Sequence, residues 1–485
     1  MTKRRKIPTK AELIRLQKLY KTDEKIGERL GGVPAYLVAY WRRKKNVARH
    51  SAPKFSEREI KSLWERFGDD DRCGLELGIS KAAYYNWRRR YGIREKPAFL
   101  KLEQLELNFP GMKLQSHSPS LWNKQTVSQK VLARVAAKEK VETGEQIEVE
   151  PDYVLVTGNI GQIIEKFHKH KIEHVWNSGR IILTPDECVN IPAGGKSPAR
   201  TSVQEFVKRQ RLRYFYDAPE GDGHQLAVEQ GHILPGQLTV GTGSAVASIG
   251  CLVGLGRVVN SDIITTTMAT GKVQLEVPES IRIDISGRKS RGVYARDIAL
   301  SIIKRLTAEG ASNKVIEYYG HTVSQMSISE RFTLCNLSSF MAAISAVCPF
   351  DATTRRYLAG RTSDTFSPVM ADKNAVYSDM YQINIDQLLP QVACPDNPGA
   401  IKDVAEVETL PVNLIILGAG TNGRLDDLRI AANILKGKKI HSECRLLIIP
   451  ASRTVYLEAL RKGLIRIFSE AGAIVMPPGF CTCTG

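Results

Sequence analysis

Apolar residues recur along this chain in two rhythms, and the change from one to the other divides it. As far as residue 96 they fall at helical intervals of three and four, as in Leu13 and Leu16 with Leu19, or Ile60 and Leu63 with Phe67. This spacing predicts short helices in two groups of three. In the first group Thr9 caps a helix, a second helix runs from about Asp23 to Leu30, and Pro34 opens a third. In the second group Ser56 caps the first helix and Ser80 the last. The groups repeat at an offset of 46 residues, so that Val33, Trp41, Arg42 and Arg43 recur as Ile79, Trp87, Arg88 and Arg89. A glycine-bearing turn, Gly-Gly-Val-Pro in one copy and Leu-Gly-Ile-Ser in the other, precedes each last helix, as in a helix-turn-helix unit. Past a linker at 97–120 that mixes Pro, Gly and Ser, helical patterns alternate with apolar runs such as YVLV, RIIL, QLTV, NLIIL and RLLII. Strands separated by helices predict parallel α/β sheets. The expected domains are therefore 1–50, 51–96, a linker at 97–120 and a body at 121–485.

Charge separates the same parts. The chain carries 69 Lys and Arg against 51 Asp and Glu, a net charge of +18. Residues 1–100 hold 26 of the cations and 12 of the acids, a net +14, which leaves +4 for the other 385 residues. A charge that served only solubility would be spread out, whereas a nucleic-acid footprint is concentrated on one module. In a helix-turn-helix unit the last helix enters the major groove and its cations neutralise phosphates. The nucleic-acid contacts expected on this basis are Tyr36, Tyr40, Arg42, Arg43 and Lys44, then Lys81, Tyr84, Tyr85, Arg88 and Arg89. Trp41 and Trp87 are expected to anchor the two small cores. The competing reading makes both units helical bundles with solvated basic faces, docked on the body or on an acidic partner.

Composition narrows the class. With 42% hydrophobic residues over 485 positions, a disordered chain is excluded. No apolar run approaches the ~20 residues of a membrane span, and the opening MTKRRKIPTK has no apolar segment behind its charges, so no membrane partner is expected. Nine scattered cysteines fit a reducing compartment, hence a cytoplasmic protein.

Two glycine-rich turns punctuate the body. Gly418, Gly420 and Gly423 spell G-x-G-x-x-G behind a strand and ahead of a helix, with Glu443 about 20 residues further on. A ribose-binding acid belongs at the carboxyl end of the next strand, and Glu443 precedes the run RLLII, so a dinucleotide site is set aside.

Ordered segments from about Leu121 to Gly485 carry a more specific likeness. They include WNKQTVSQKVLAR, EGDGHQ, GHILPGQLTVGTGS, ATGKVQLEVPESIRI, EYYGHTVSQMSISERFTLCN, TNGRLDDLRIAANILKGKKI, PASRTVYLEALRKGLIRIFSEAGAIVMPPG and the terminal CTG. In these the body resembles the large subunit of 3-isopropylmalate dehydratase and its relatives aconitase and homoaconitase. The resemblance implies an aconitase-like three-layer α/β body, here with an all-α helix-turn-helix-like N-terminal head. It also implies a hydro-lyase family whose [4Fe-4S] cluster is held by three cysteines, with one iron left open to bind the substrate hydroxyl and carboxylate as a Lewis acid.

Set against that pattern, the ligand positions are substituted. Gly420 stands before Thr421 and Asn422 where the first cysteine belongs, and Phe480 stands at the second. Cys483 is in register with the third, and Cys481 lies two residues before it. Cys481 and Cys483 are the remaining metal-ligand candidates, and no intact cluster is expected. The acid-base positions are altered too: Val156, Thr157 and Gly158 replace Ser-His-Asp, Glu187 follows Asp186 where a histidine belongs, Ala245 follows Gly243 and Ser244, and Phe340 replaces a glutamate. His224, Ser244, Asn336, Asn422, Arg424 and Arg453 match. His224 and Ser244 are thus the catalytic candidates, and Asn422, Arg424 and Arg453 the substrate-binding ones, the arginines being able to clamp a carboxylate in bidentate fashion.

The resemblance implies a separate small subunit carrying the swivelling domain, and a carboxylate metabolite as ligand. The resembling proteins continue past the last cysteine motif, so either a truncated chain or a domain that has lost its end is expected here. The reading is a catalytically impaired, cluster-free homologue with a nucleic-acid-binding head and a metabolite-sensing role. The alternative is an active dehydratase large subunit of leucine biosynthesis working with a small subunit.

Overall fold

The computed structural model describes residues 7–20, 22–47, 55–67, 70–77, 79–93, 124–185, 198–217, 220–362, 364–395, 397, 399–407, 409–418 and 420–479. Two compact units result, residues 1–115 and 116–485. The expected linker at 97–120 lies outside the described residues, as do Asp186, Glu187, Phe480, Cys481 and Cys483.

In the head, the first group comprises helices Lys10–Tyr20, Asp23–Arg29 and Ala35–Lys44, and the second Glu57–Phe67, Asp70–Glu76 and Lys81–Arg90. The caps are those the sequence suggests. Thr9 exchanges backbone and side-chain hydrogen bonds with Glu12, and Ser56 does the same with Glu59, each satisfying amides that a helix start leaves without partners. Ser80 accepts from the Ala83 amide at 3.3 Å. Leu13, Ile26, Val33, Val38, Trp41 and Val47 fill the first core, and Ile60, Trp64, Cys73 and Tyr84 the second. Leu19, expected on the apolar stripe, is instead exposed.

Each unit is closed by the same polar clamp. Arg42 donates from Nε and NH2 to the two carboxylate oxygens of Asp23, at 3.1 and 3.0 Å, and from NH1 to the Val47 carbonyl at 3.2 Å. Arg88 repeats this with Asp70, at 2.7 and 2.8 Å, and with the Ile93 carbonyl at 2.8 Å. The fork geometry of a guanidinium suits this bidentate pairing, and the clamp joins the end of the third helix to the start of the second.

The body holds three parallel sheets. The first runs Tyr214–Phe215, Ile181–Thr184, Tyr153–Thr157, Leu238–Gly241, Leu255–Val258. The second runs Ser345–Val347, Val315–Tyr319, Ser280–Ser286, Asp379–Asn384. The third runs Leu414–Gly418, Arg445–Ile449, Ile474–Val475. The five apolar runs read as strands all lie in the first and third sheets. Helices pack on the sheets and bury separate apolar clusters, while the strand Leu414–Gly418 of the third sheet leaves Leu414, Ile415 and Ile416 exposed. The Ile328–Leu337 helix, buried at almost every position, packs against the one-sided turn Ser244–Leu252 and gives the site its floor. Among the described residues no helix is long and apolar enough to cross a membrane.

Candidate functional site

Where the third sheet meets the first, two chain segments touch. The Asp222 amide donates to the Ala451 carbonyl at 2.9 Å, and Gly221 bridges to Ser452. That contact brings the start of the Gly223–Glu229 helix against the start of the Arg453–Arg461 helix, beside the loop that carries Asn422 and Arg424. Gly223 is required here, because a Cβ would lie 2.0 Å from the Thr184 hydroxyl oxygen.

Arg424 is 6% exposed. Its Nε donates to the Ser329 hydroxyl at 2.8 Å, its NH2 to the Thr333 hydroxyl at 2.6 Å, and its guanidinium lies 4.5 Å from the centre of the Phe332 ring. No carboxylate side chain takes the guanidinium: Asp427 instead accepts from the backbone amides of Gly423 and Arg424, both at 3.0 Å. NH1 has no partner. Burial pulls the Arg424 pKa down, opposed by the charges of Asp427 and Asp222. A buried guanidinium held by neutral hydroxyls, with one donor free, is a site for an anion.

The surrounding groups share that incompleteness. Asn422 donates to Thr333 and Asp427 at 3.2 Å, while its carbonyl oxygen has no partner. His224 is 3% exposed, with its ring against the backbone of Thr242. Burial lowers its pKa against the pull of Asp222, whose carboxylate is 3.8 Å away, so the ring is held neutral. Glu229 accepts from Ser452 at 2.7 Å and Gln225 at 3.1 Å through one oxygen, and its other oxygen is free. Buried polar atoms normally find partners, so this cluster marks a pocket built for a polar ligand or water. An opening of about 320 Å³ reaches Arg424, Glu229, Gln225, Ser329, Arg361 and Thr454. A larger one, about 790 Å³, lies against Asn422, Asp426, Thr333 and the apolar strand residues Ile415 and Ile416.

The structure sets Asn422 and Arg424 on one loop, Arg424 at the smaller opening and Asn422 at the larger, while His224 lines neither. Ser244, at the exposed start of its turn, makes no hydrogen bond through its side chain. Arg453 is directed to Glu220 at 3.0 Å and does not converge with Arg424. Asn336 is buried and donates to Ser248 at 2.9 Å. Glu229, Gln225, Ser329 and Thr333 escaped the sequence reading. Their only local signal is the i, i+4 spacing that sets Gln225 beside Glu229 and Ser329 beside Thr333 on single helix faces.

The resemblance gives the place of the first cluster cysteine to Gly420. Gly420 offers no sulfur donor, its φ is +82°, and a Cβ built there would meet nothing within 4 Å. The strand Leu414–Gly418 and the helix Leu425–Leu435 lie to either side of it, and the positive φ favours glycine over a side-chain-bearing residue. Thr157, at the altered Ser-His-Asp position, is spent on structure: its amide donates to the Thr242 hydroxyl at 2.8 Å and its hydroxyl to the Thr242 carbonyl at 2.9 Å. Phe340 is 45% exposed and supplies no proton donor or acceptor.

On the head, three of the expected nucleic-acid contacts are corrected. Arg42 and Arg88 are each 8% exposed and consumed by their clamps, and Tyr84 is fully buried, its hydroxyl donating to the Ile60 carbonyl at 2.6 Å. A guanidinium with its donors committed inside the fold cannot reach a phosphate. Tyr36, Tyr40, Arg43, Lys44, Lys81, Tyr85 and Arg89 are exposed on one face of each third helix.

Comparison with known proteins places the body. A model of the aconitase family (aconitate hydratase) matches residues 196–485. The probable 3-isopropylmalate dehydratase large subunit of Methanothermobacter thermautotrophicus is 38% identical over 363 residues, covering 74% of this chain and 86% of that one. The 3-isopropylmalate dehydratase large subunit 1 of Methanopyrus kandleri is 35% identical over 364 residues, with the same two shares of 74% and 86%. The probable methanogen homoaconitase large subunit of Methanosarcina mazei is 35% identical over 322 residues, 66% of this chain and 82% of that one. With the family model spanning most of the body and relatives more than a third identical along it, this chain belongs to the aconitase family.

Proposed function

We propose that this protein is a cluster-free member of the hydro-lyase family that binds a di- or tricarboxylate without turning it over, and binds nucleic acid through its head, so that the pair acts as a metabolite-responsive regulator. The observation that carries the reading is Gly420: glycine, with no sulfur donor and a left-handed φ of +82° that disfavours a cysteine, stands where the resemblance places the first ligand. Phe480 at a second ligand position and Thr157, Phe340 and Ala245 at acid-base positions support it independently. The free NH1 of the buried Arg424 supports retained carboxylate binding, since a guanidinium donates to a carboxylate with charge assistance. The concentration of +14 on residues 1–100 supports the head's role.

Titration calorimetry with aconitate and with 3-isopropylmalate tests the pocket. The intact chain is expected to bind at least one of them, and Arg424→Met to weaken that binding about 10- to 100-fold, the usual share of a charge-assisted hydrogen-bond pair. Unchanged melting of the variant separates loss of contact from loss of fold. Failure of the intact chain to bind either acid contradicts the pocket.

One observation favours the second reading. The relatives are named as large subunits of 3-isopropylmalate dehydratase and homoaconitase, and the loop and helix frame of that site is retained here. On that reading the chain is a hydro-lyase large subunit completed by a small-subunit partner, and purified protein would have to carry iron and sulfide.

A further inference from the structure

The third helices Ala35–Lys44 and Lys81–Arg90 align at the 46-residue offset without a gap, and their inward positions correspond. Val38 and Tyr84 enter the two cores, Trp41 and Trp87 pack beside them, and Arg42 and Arg88 make matching clamps. Arg43 and Arg89 both face outward, as do Lys44 and Arg90. The outward residues on the first two turns do not correspond. Tyr36, 73% exposed, aligns with Ala82, and Tyr40, 52% exposed, aligns with Asn86. Tyr85, 40% exposed, aligns with Ala39, and exposed Lys81 with Ala35.

The scaffold and the phosphate-neutralising end of each helix are therefore repeated, and the face that would meet base edges is not. Neutralising phosphates needs cations alone, and both units have them at the same places. The amino-terminal turns instead offer different chemistry. An exposed asparagine amide matches the N6 and N7 edge of adenine, and a lysine ammonium matches O6 and N7 of guanine, whereas paired tyrosine rings present apolar faces suited to a thymine methyl. A B-form major groove admits a helix carrying these groups, and the deep, narrow groove of A-form RNA does not.

Resting on the reading that the head binds nucleic acid, we infer that its ligand is duplex DNA with two unlike half-sites, one met by Tyr36 and Tyr40 and the other by Lys81, Tyr85 and Asn86. The two units are two readers on one scaffold rather than a doubled copy of one reader.

The test is selection of bound duplexes from a randomised pool by the full-length chain, followed by sequencing. Two dissimilar motifs are expected within the enriched duplexes. Asn86→Ala should relax one motif and leave the other, lowering affinity for the best duplex about 5- to 150-fold, and Tyr36→Ala should relax only the other motif. A single motif occurring twice, in direct or inverted order, overturns the inference. So does salt-dependent binding without base preference, or binding confined to RNA; in both cases the nucleic-acid reading of the head survives. No binding of any nucleic acid at low salt removes both.

Discussion

Arg88→Ala is expected to unfold the second helical unit of the head, whereas Arg89→Ala leaves it folded and, on the proposed nucleic-acid role, removes one contact. The two arginines are adjacent in sequence and opposite in role. Arg88 makes three hydrogen bonds inside the unit, two of them to Asp70, and lies 3.8 Å over the Trp64 ring. Its truncation strands the Asp70 carboxylate, whose side chain is 13% exposed, at a cost of about 3 kcal/mol. A three-helix unit whose buried apolar core, among the described residues, is Ile60, Trp64, Cys73 and Tyr84 has little stability beyond that to lose. Arg89 is exposed at the same helix end, and its loss should lower the slope of log affinity against log salt by about 0.9 for one released counterion. Circular dichroism and limited proteolysis of the full-length variants read the first effect, and a salt titration of duplex binding reads the second. A folded Arg88→Ala protein that no longer binds would reassign Arg88 to the interface.

Arg331→Met should destabilise the body by about 3–5 kcal/mol. Arg331 is fully buried, donates to the carbonyls of Pro349 and Val323 at 3.2 Å and to the Thr354 hydroxyl at 3.2 Å, and pairs with both carboxylate oxygens of Asp351. Asp351 also caps the Ala352–Leu358 helix through the amides of Thr353 and Thr354, at 2.9 and 3.1 Å. Removing the cation leaves that carboxylate without its counter-charge, held by the two helix amides, and leaves two carbonyls without their donors. The consequence extends to the site, because the Ile328–Leu337 helix that carries Arg331 also carries Ser329 and Thr333, the two hydroxyls that hold Arg424. Thermal denaturation of the full chain measures the loss. The paired variant Arg331→Met with Asp351→Asn should recover part of it, since no unpaired carboxylate then remains; equal damage in single and paired variants would deny that the ion pair is responsible.

The head was legible in outline because its signals are local. Hydroxyl caps at Thr9, Ser56 and Ser80 and the recurring Trp-Arg-Arg triplet follow from backbone needs that a short window of sequence contains. Which arginine of the triplet points inward was not legible in that window. Successive helix residues differ by about 100°, and the decision rests on Asp23 and Asp70, 19 and 18 residues upstream. Tyr84 was misread for the same reason: a tyrosine beside another tyrosine in a basic helix looks like a contact face, and its partner, the Ile60 carbonyl, lies 24 residues away.

In the body, four of the five apolar runs declared their strands because buried parallel strands read as continuous hydrophobic stretches, whereas the run ending in Leu417 forms a strand whose Leu414, Ile415 and Ile416 are exposed. The candidate pocket was half legible. His224, Asn422 and Arg424 stand in recognisable motifs, while Glu229, Ser329 and Thr333 enter it only through contacts between segments far apart in the chain. Arg453 matched the motif, yet the contact between Gly221 and Ser452 sends its side chain to Glu220.

The measurement that bears most directly on the cluster-free reading is iron and acid-labile sulfide analysis of the full-length protein purified under anaerobic conditions. With glycine and phenylalanine at two of the three donor positions, the protein should be colourless and hold neither element in stoichiometric amount. Stoichiometric iron and sulfide in the purified chain, together with dehydration of a hydroxy acid when a small subunit is added, would contradict it.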